Sequence, residues 1–211
     1  MKRTSARRAA LAVLAFATLA PVPASAQAPG DGGLLPPLQL RAGTPFDYCV
    51  TGTAAKALAA AGVTFDAVAP ATLTTVNGRP CMHSVLDSGE LNTDLSGVTG
   101  KARGGFAFQR DGKRAEFTDL ALVMKLDRSG VITTEHLGRR IETLTTNGDG
   151  IKLALTKVSA ENTPINLTAP AVDALAQKFG TSPLAAGDQL FSATLSFDVV
   201  KGLTGLLPVT L

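Results

Sequence analysis

Apolar and polar side chains alternate in short runs along much of the second half of the chain. Residues 105–109 and 114–117 carry this pattern on either side of an Asp-Gly pair, and residues 120–126, 151–155 and 189–199 carry it again. A period of two places successive side chains on opposite faces of a strand. The pattern therefore predicts several β-strands, each with one face turned towards a core.

Turn residues separate these predicted strands. Asp111 and Gly112, residues 127–130 and residues 147–150 form segments rich in Asp, Asn, Ser and Gly. An Asp-Gly pair between alternating runs is a strong hairpin signal, because glycine tolerates the positive φ of a type I′ turn. Closely spaced strands with such turns predict an all-β fold, either an antiparallel sandwich or a barrel-like domain.

Two alanine-rich segments are expected to interrupt the strands as short α-helices. Thr51 and Thr168 are suited to the N-cap of these helices, and Gly62 and Gly180 are suited to the position after the C-cap. The two segments resemble each other, and similar strand starts follow both of them. An internal duplication of a helix–loop–strand unit and a chance likeness of composition explain this equally well.

The first 26 residues have the three parts of a cleavable signal peptide. Basic residues precede an apolar run at positions 9–20, which is shorter than the roughly 20 residues that span a bilayer, and small residues follow at 24–26. An Arg-Arg pair leaves both general secretion and twin-arginine export open. The Gly and Pro residues of segment 27–44 predict a flexible leader. A single β-rich domain is predicted for residues 45–211.

Removal of this signal changes the charge of the chain. All 17 acidic residues lie after residue 26, whereas four of the 20 basic residues lie before it, so the formal net charge moves from +3 to −1. No cluster of Lys and Arg remains, which argues against a nucleic-acid partner and leaves a protein or a small molecule. No later apolar run is long enough for a transmembrane segment. The predicted location is secreted or extracellular, with retention at the cell envelope as the alternative.

Cys49 and Cys81 are the two cysteines of the chain. An even pair in an oxidising, exported setting predicts a disulfide. In the chain-entropy model, closing a loop of about 32 residues stabilises a fold by roughly 3 to 4 kcal/mol.

A family resemblance runs over residues 45–199 and rests on structural motifs: a helix with its glycine, a Gly-Gly strand start and a turn. The residues that carry it are 57–63, 69–71, 104–108, 167–168, 174–175, 179–181 and 186–187. In these residues the chain resembles secreted actinobacterial proteins that are related to haem-transport-associated (HtaA-like) domains. The resemblance implies a β-rich fold and, from the haem-binding members, a tyrosine as iron ligand that is assisted by a histidine.

Tyr48 is the iron ligand that this resemblance implies, because Phe46-Asp47-Tyr48 is similar to the aromatic-rich start of those domains. The chain has no counterpart to their glycine-histidine strand motif. A Cys49–Cys81 bond would draw Tyr48 towards Met82 and His83, and all three side chains are plausible haem ligands or neighbours. Alternation along two strands, however, places Tyr48 and Met82 on one face and His83 on the other. The competing interpretation is a structural disulfide flanked by a packed tyrosine and methionine.

Motifs for catalysis or metal binding are absent from the sequence. It lacks a nucleophile elbow, an H-E-x-x-H helix, a P-loop and a Rossmann fingerprint. The carboxylates of residues 87–94 fit a turn better than a calcium loop. A dispersed Ser–His–Asp triad would have to use His83 or His136, the two histidines of the chain. His136 lies beside charged residues, which is typical of a solvated surface.

These patterns together predict a non-enzymatic β-rich binding or structural module, secreted or associated with the cell envelope. The prediction assigns no catalytic residue, no metal and no cofactor. A haem-binding protein that uses Tyr48 as the iron ligand is the first alternative. A hydrolase with a dispersed triad is the second.

Overall fold

The computed structural model describes residues 37–92, 97–154 and 157–198. The predicted signal peptide at 1–26 lies outside these ranges, as does most of the predicted leader. The chain here forms thirteen strands, a 3₁₀ turn at Gly148–Gly150 and two α-helices. The strands are β1 (Leu38–Leu40), β2 (Pro45–Val50), β3 (Thr64–Val68), β4 (Thr72–Val76), β5 (Arg79–Val85), β6 (Ser88–Leu91), β7 (Val98–Arg110), β8 (Lys113–Met124), β9 (Ser129–His136), β10 (Arg139–Asn147), β11 (Ile151–Ala154), β12 (Lys157–Leu167) and β13 (Gln189–Asp198). The helices are α1 (Gly52–Ala60) and α2 (Ala169–Phe179).

The strands form one antiparallel sheet that curls into a half-barrel. Its order is β1-β6-β7-β8-β9-β10-β12-β13-β2-β5-β4, while β3 pairs with β7 and β11 pairs with β12. The last described strand, β13, lies between β12 and β2 and thus joins late strands to early ones. The predicted all-β, antiparallel, barrel-like fold with two short helices is confirmed.

Residues 38–40 already belong to this sheet, because β1 pairs with β6. They lie inside the segment 27–44 that was expected to be a flexible leader. The Leu-Gln-Leu alternation of β1 is a short strand signal that the surrounding Gly and Pro residues outweigh in the sequence. Pairing in the described chain therefore begins before Pro45.

The predicted hairpin forms between β7 and β8. Asp111 and Gly112 have φ angles of 51° and 72°, the geometry of a type I′ turn. The turn residues predicted at 127–130 and 147–150 lead into β9 and β11, and the strand predicted at the end of the domain is β13. Local sequence therefore locates the turns before β9 and β11, although β9 already begins at Ser129, inside the predicted turn at 127–130.

A bend in β7 allows one edge of this strand to serve two partners. Residues 98–101 pair with β6, whereas residues 105–109 pair with β3. Gly104, with a φ of 76°, and Gly105 lie at the register shift between the two stretches. A β-carbon on Gly105 would overlap the backbone carbonyl of Phe117, so this close approach requires glycine.

Both predicted helix caps form. The hydroxyl oxygens of Thr51 and Thr168 each accept a hydrogen bond from a backbone N–H in the first turn of α1 and α2. Gly62 and Gly180, which follow the two helices, have φ angles of 66° and 86°. In the predicted duplication, β4 after α1 would correspond to β13 after α2. These two strands differ in position, because β4 lies at one end of the sheet order and β13 lies in its middle. The duplication therefore remains a prediction.

Phenylalanine side chains fill one part of the space inside the curled sheet. Phe106, Phe108, Phe117 and Phe191 are fully buried. The ring of Phe65, on β3, contacts three of these rings at centroid distances of 5.6 to 6.3 Å. We call these five side chains the phenylalanine cluster.

Candidate functional site

The interior of the curled sheet also holds an apolar cavity of about 100 Å³. It lies beyond the phenylalanine cluster along the same strands β7, β8 and β13. Strands β1, β2 and β9 and the connections before β2 and after β5 complete its wall. The lining residues are Leu40, Thr44, Pro45, Phe46, Tyr48, Leu86, Val98, Thr99, Gly100, Lys101, Ala102, Leu120, Leu122, Ile132, Ala193 and Leu195. We call this space the Tyr48 cavity.

Small side chains help to create this space. Gly100, Ala102 and Ala193 are buried in the cavity wall, whereas positions further along the same two strands carry Phe106 and Phe191. Side chains of phenylalanine size at the first three positions would project into the cavity. The cavity is therefore encoded by residue size at inward-facing strand positions.

Tyr48 brings a polar group to the wall of this cavity. Its ring centroid lies 5.1 Å from that of Phe46 and 5.8 Å from that of Phe191, so neighbouring rings hold the phenol in place. No hydrogen bond to its hydroxyl forms anywhere in residues 37–92, 97–154 or 157–198. Burial raises the pKa of the Tyr48 phenol above its ordinary range. The hydroxyl therefore stays protonated at neutral pH and is free to donate a hydrogen bond.

The structure separates the three side chains that were candidate haem ligands or neighbours. Met82 lies opposite Tyr48 in the β2–β5 pair, but it is fully buried and does not line the cavity. His83 lies on the other face of β5, where its Nδ1 is 2.8 Å from Oδ1 of Asp47. Both members of this pair are 42% exposed. Tyr48 and His83 therefore do not share a cavity, as the alternation predicts.

The predicted Cys49–Cys81 disulfide is present. The two cysteines occupy directly opposed positions of β2 and β5, on the face that also carries His83. The bond fixes the register of these strands. It thereby fixes the position of Tyr48, which is the next residue to Cys49 and points to the inner face.

A second, polar groove of about 370 Å³ lies beside β8 and the turn between β9 and β10. The ring of His136 stacks on that of Phe117 with centroids 4.9 Å apart, and its Nδ1 is 2.7 Å from the carbonyl oxygen of Glu116. Arg114 donates a hydrogen bond of 2.7 Å to Asp66, which holds the pKa of that carboxyl below its usual range. Because Arg114 and His136 are engaged in these contacts, we assign them a structural role.

The described ranges do not assemble a catalytic triad around either histidine. His83 bonds to a carboxylate and His136 to a backbone carbonyl, and no serine, threonine or cysteine side chain there bonds to either ring. The same ranges contain no group of three or more His, Cys, Asp and Glu side chains placed to hold a metal ion. The Tyr48 cavity is therefore the candidate site.

Sequence reasoning singled out Tyr48 but missed the rest of the cavity wall. Gly100 and Ala102 lie two residues apart on one face of β7, and Ala193 comes from a strand almost a hundred positions away. Small residues at successive inward positions were the local signal available. The sequence alone does not show that these positions face Tyr48.

Fold and cavity together define an antiparallel β half-barrel with two helices and an apolar internal site. In this class the chain is similar to the C-terminal domain of HtaA from Corynebacterium glutamicum, with a TM-score of 0.53 and 15% sequence identity, over 74% of this chain and 96% of that one. A second similar structure is the heme binding protein HtaB from the same organism, with a TM-score of 0.44 and 12% identity, over 76% of this chain and 95% of that one. No family model and no curated protein matches the chain in sequence.

The likeness to the HtaA domain shows a shared fold, and at that level it confirms the resemblance to haem-transport-associated domains. Neither α1 nor α2, the helices of the described ranges, is long and apolar enough to cross a membrane.

Proposed function

We propose that this chain is an exported, non-enzymatic binding module, secreted or held at the cell envelope, that takes an apolar small molecule into the Tyr48 cavity. The observation that carries the proposal is the apolar cavity of about 100 Å³ inside the curled sheet, next to the fully buried rings of the phenylalanine cluster. Protein interiors are close-packed and hold few voids larger than a water molecule. A ligand explains why this space stays open.

The energetic cost of an empty cavity supports this proposal. Residual volume in an enclosed cavity lowers stability by about 24 cal/mol per Å³, so about 100 Å³ would cost about 2.4 kcal/mol if fully closed, and the open side of the Tyr48 cavity makes the cost smaller. Domains are stable by only about 5 to 15 kcal/mol in total. A ligand that fills the cavity offsets this cost and gains the free energy of its own burial.

The size of the cavity limits what enters it. Most ligand pockets measure about 300 to 1,000 Å³, and an engineered apolar cavity of about 150 Å³ binds benzene. The Tyr48 cavity, at about 100 Å³, therefore takes one small ring or branched apolar group. A larger ligand would leave its remaining atoms at the open side of the cavity.

We expect toluene to raise the melting temperature of the purified protein with a saturable dose response. A ligand that binds only the folded state stabilises that state by mass action. Tyr48 is the single tyrosine of a chain without tryptophan, so a change in tyrosine emission would report directly on the cavity.

Two leucine substitutions provide the matched comparison for this experiment. Ala193→Leu adds three carbons inside the cavity, and we expect it to weaken toluene binding at least about tenfold, a loss of about 1.4 kcal/mol. Ala121→Leu makes the same change at a β8 position outside the cavity wall and should bind as the unchanged protein does. If toluene shifts neither the melting temperature nor the emission, the proposal fails and a purely structural module takes its place.

Haem is the second candidate ligand, favoured by the unpartnered phenol of Tyr48 in an apolar wall. Tyrosine ligates haem iron in some proteins, so the donor fits the group. The volume of the cavity does not fit haem, because a porphyrin is much larger than about 100 Å³. Haem could enter only if the open side of the cavity became wider. Tyr48 would be the iron ligand in this case, since His83 lies on the opposite face of the sheet and Met82 is buried in the core.

A hemin titration separates this candidate from the first one. If haem is the ligand, the Soret band shifts saturably, Tyr48→Phe abolishes the shift, and His83→Ala retains it. A shift that survives in Tyr48→Phe would show that hemin adheres elsewhere. Toluene binding without any Soret shift would leave the apolar small-molecule proposal standing alone.

A further inference from the structure

We infer that the ligand of the Tyr48 cavity carries an uncharged hydrogen-bond acceptor, such as a ketone or ester oxygen, on its apolar body, and that the Tyr48 hydroxyl donates to it. This inference rests on the proposed function and names the chemical class of its ligand. It follows from the inventory of polar groups in the cavity wall.

Tyr48 is the uncommitted polar side chain of that wall. Thr44 already donates its hydroxyl hydrogen bond to the carbonyl oxygen of Arg41, at 2.7 Å. Thr99 and Lys101 are exposed, and they alternate along β7 with the buried Gly100 and with Ala102. The side chains of Thr99 and Lys101 therefore point away from the interior, and these residues contribute backbone to the cavity.

The phenol is held in place for a ligand. The rings of Phe46 and Phe191 lie 5.1 and 5.8 Å from the ring of Tyr48 and restrict its orientation, while the hydroxyl hydrogen can still turn about the C–O bond. The hydroxyl makes no hydrogen bond within the described ranges of the chain. Tyr48 is half-buried, and the buried side-chain atom without a partner in the described ranges is Oγ1 of Thr163, so the Tyr48 hydroxyl is accessible from the cavity and a ligand that enters can supply its acceptor.

The charge of the wall decides which acceptor fits. No ionised side chain of the described residues points into the cavity, so nothing there would compensate a carboxylate or a phosphate. Transfer of an unpaired charge into apolar surroundings costs far more than one hydrogen bond returns. The acceptor is therefore a neutral oxygen.

Cyclohexanone and methylenecyclohexane test this inference, because they have nearly the same shape and differ in a C=O against a C=CH₂ group. Dissociation constants are measured by NMR chemical-shift titration of the full chain and of Tyr48→Phe, with toluene as a third probe. We expect Tyr48→Phe to weaken the binding of cyclohexanone by about 2- to 12-fold more than it weakens the binding of methylenecyclohexane or toluene, because only the ketone loses a neutral hydrogen bond. Cyclohexanecarboxylate should bind at least about tenfold more weakly than cyclohexanone.

The outcomes separate this inference from the proposed function. Equal effects of Tyr48→Phe on the ketone and the alkene would overturn the inference while leaving the apolar site in place. Carboxylate binding as tight as that of the ketone would overturn the restriction to a neutral acceptor. If none of these probes, including toluene, binds the unchanged protein, the proposed function itself fails. An unchanged melting temperature in Tyr48→Phe shows that the variant is folded.

Discussion

Replacing Phe106 by alanine is expected to lower the free energy of unfolding by about 3 to 5 kcal/mol. Phe106 is fully buried on β7, and its ring contacts four other rings of the phenylalanine cluster at centroid distances of 5.2 to 6.3 Å. The substitution removes both the buried apolar area and these aromatic contacts, and it leaves a cavity in the middle of the half-barrel. This is a large part of the roughly 5 to 15 kcal/mol that stabilises a typical domain.

Urea unfolding followed by far-ultraviolet circular dichroism measures this loss. The matched control is Val123→Ala, at a position of β8 that is 50% exposed, which should change stability by no more than about 0.5 kcal/mol. The slope of the transition should stay the same in both variants. Equal losses in the two variants would mean that the phenylalanine cluster is not the centre of the core.

Removal of the disulfide is expected to cost about 3 to 4 kcal/mol. Cys49 and Cys81 are separated by 32 residues, and the bond restricts the unfolded chain over that whole loop. The double variant Cys49→Ala/Cys81→Ala removes the bond without burying a new polar atom at position 81, which is fully buried. Stability is again measured by urea unfolding.

A reducing agent provides the control for this second prediction. It should lower the stability of the unchanged protein to that of the double variant and should leave the double variant unaffected. A double variant as stable as the oxidised protein would contradict the chain-entropy account of this bond.

The sequence predicted those features that depend on neighbouring residues. The turn at Asp111 and Gly112 and the caps at Thr51 and Thr168 are specified by residues within four positions of each other, so local rules suffice. The face that each residue of β2 and β5 occupies also follows from a period of two, which is why Tyr48 and His83 were expected to point apart.

The features that the sequence could not provide depend on contacts between distant segments. Pairing of β3 with the second half of β7 requires the bend at Gly104 and Gly105. The two glycines alone do not show which strand pairs with β7 after the bend. The cavity wall combines residues from Leu40 to Leu195. Their convergence is set by the order of strands in the sheet, which periodicity does not determine.

The central place of β13 has a consequence for the order in which this fold is completed during synthesis. Strands β6 to β12 form an almost continuous series of antiparallel neighbours, and β2, β5 and β4 form another. The series are joined through β13, which is the last of the described strands to leave the ribosome and pairs with both β12 and β2. A chain cut before residue 189 would retain both series but not the strand between them. Nor would it retain Ala193 and Leu195 beside Tyr48, so the wall of the Tyr48 cavity is complete only when β13 has emerged from the ribosome.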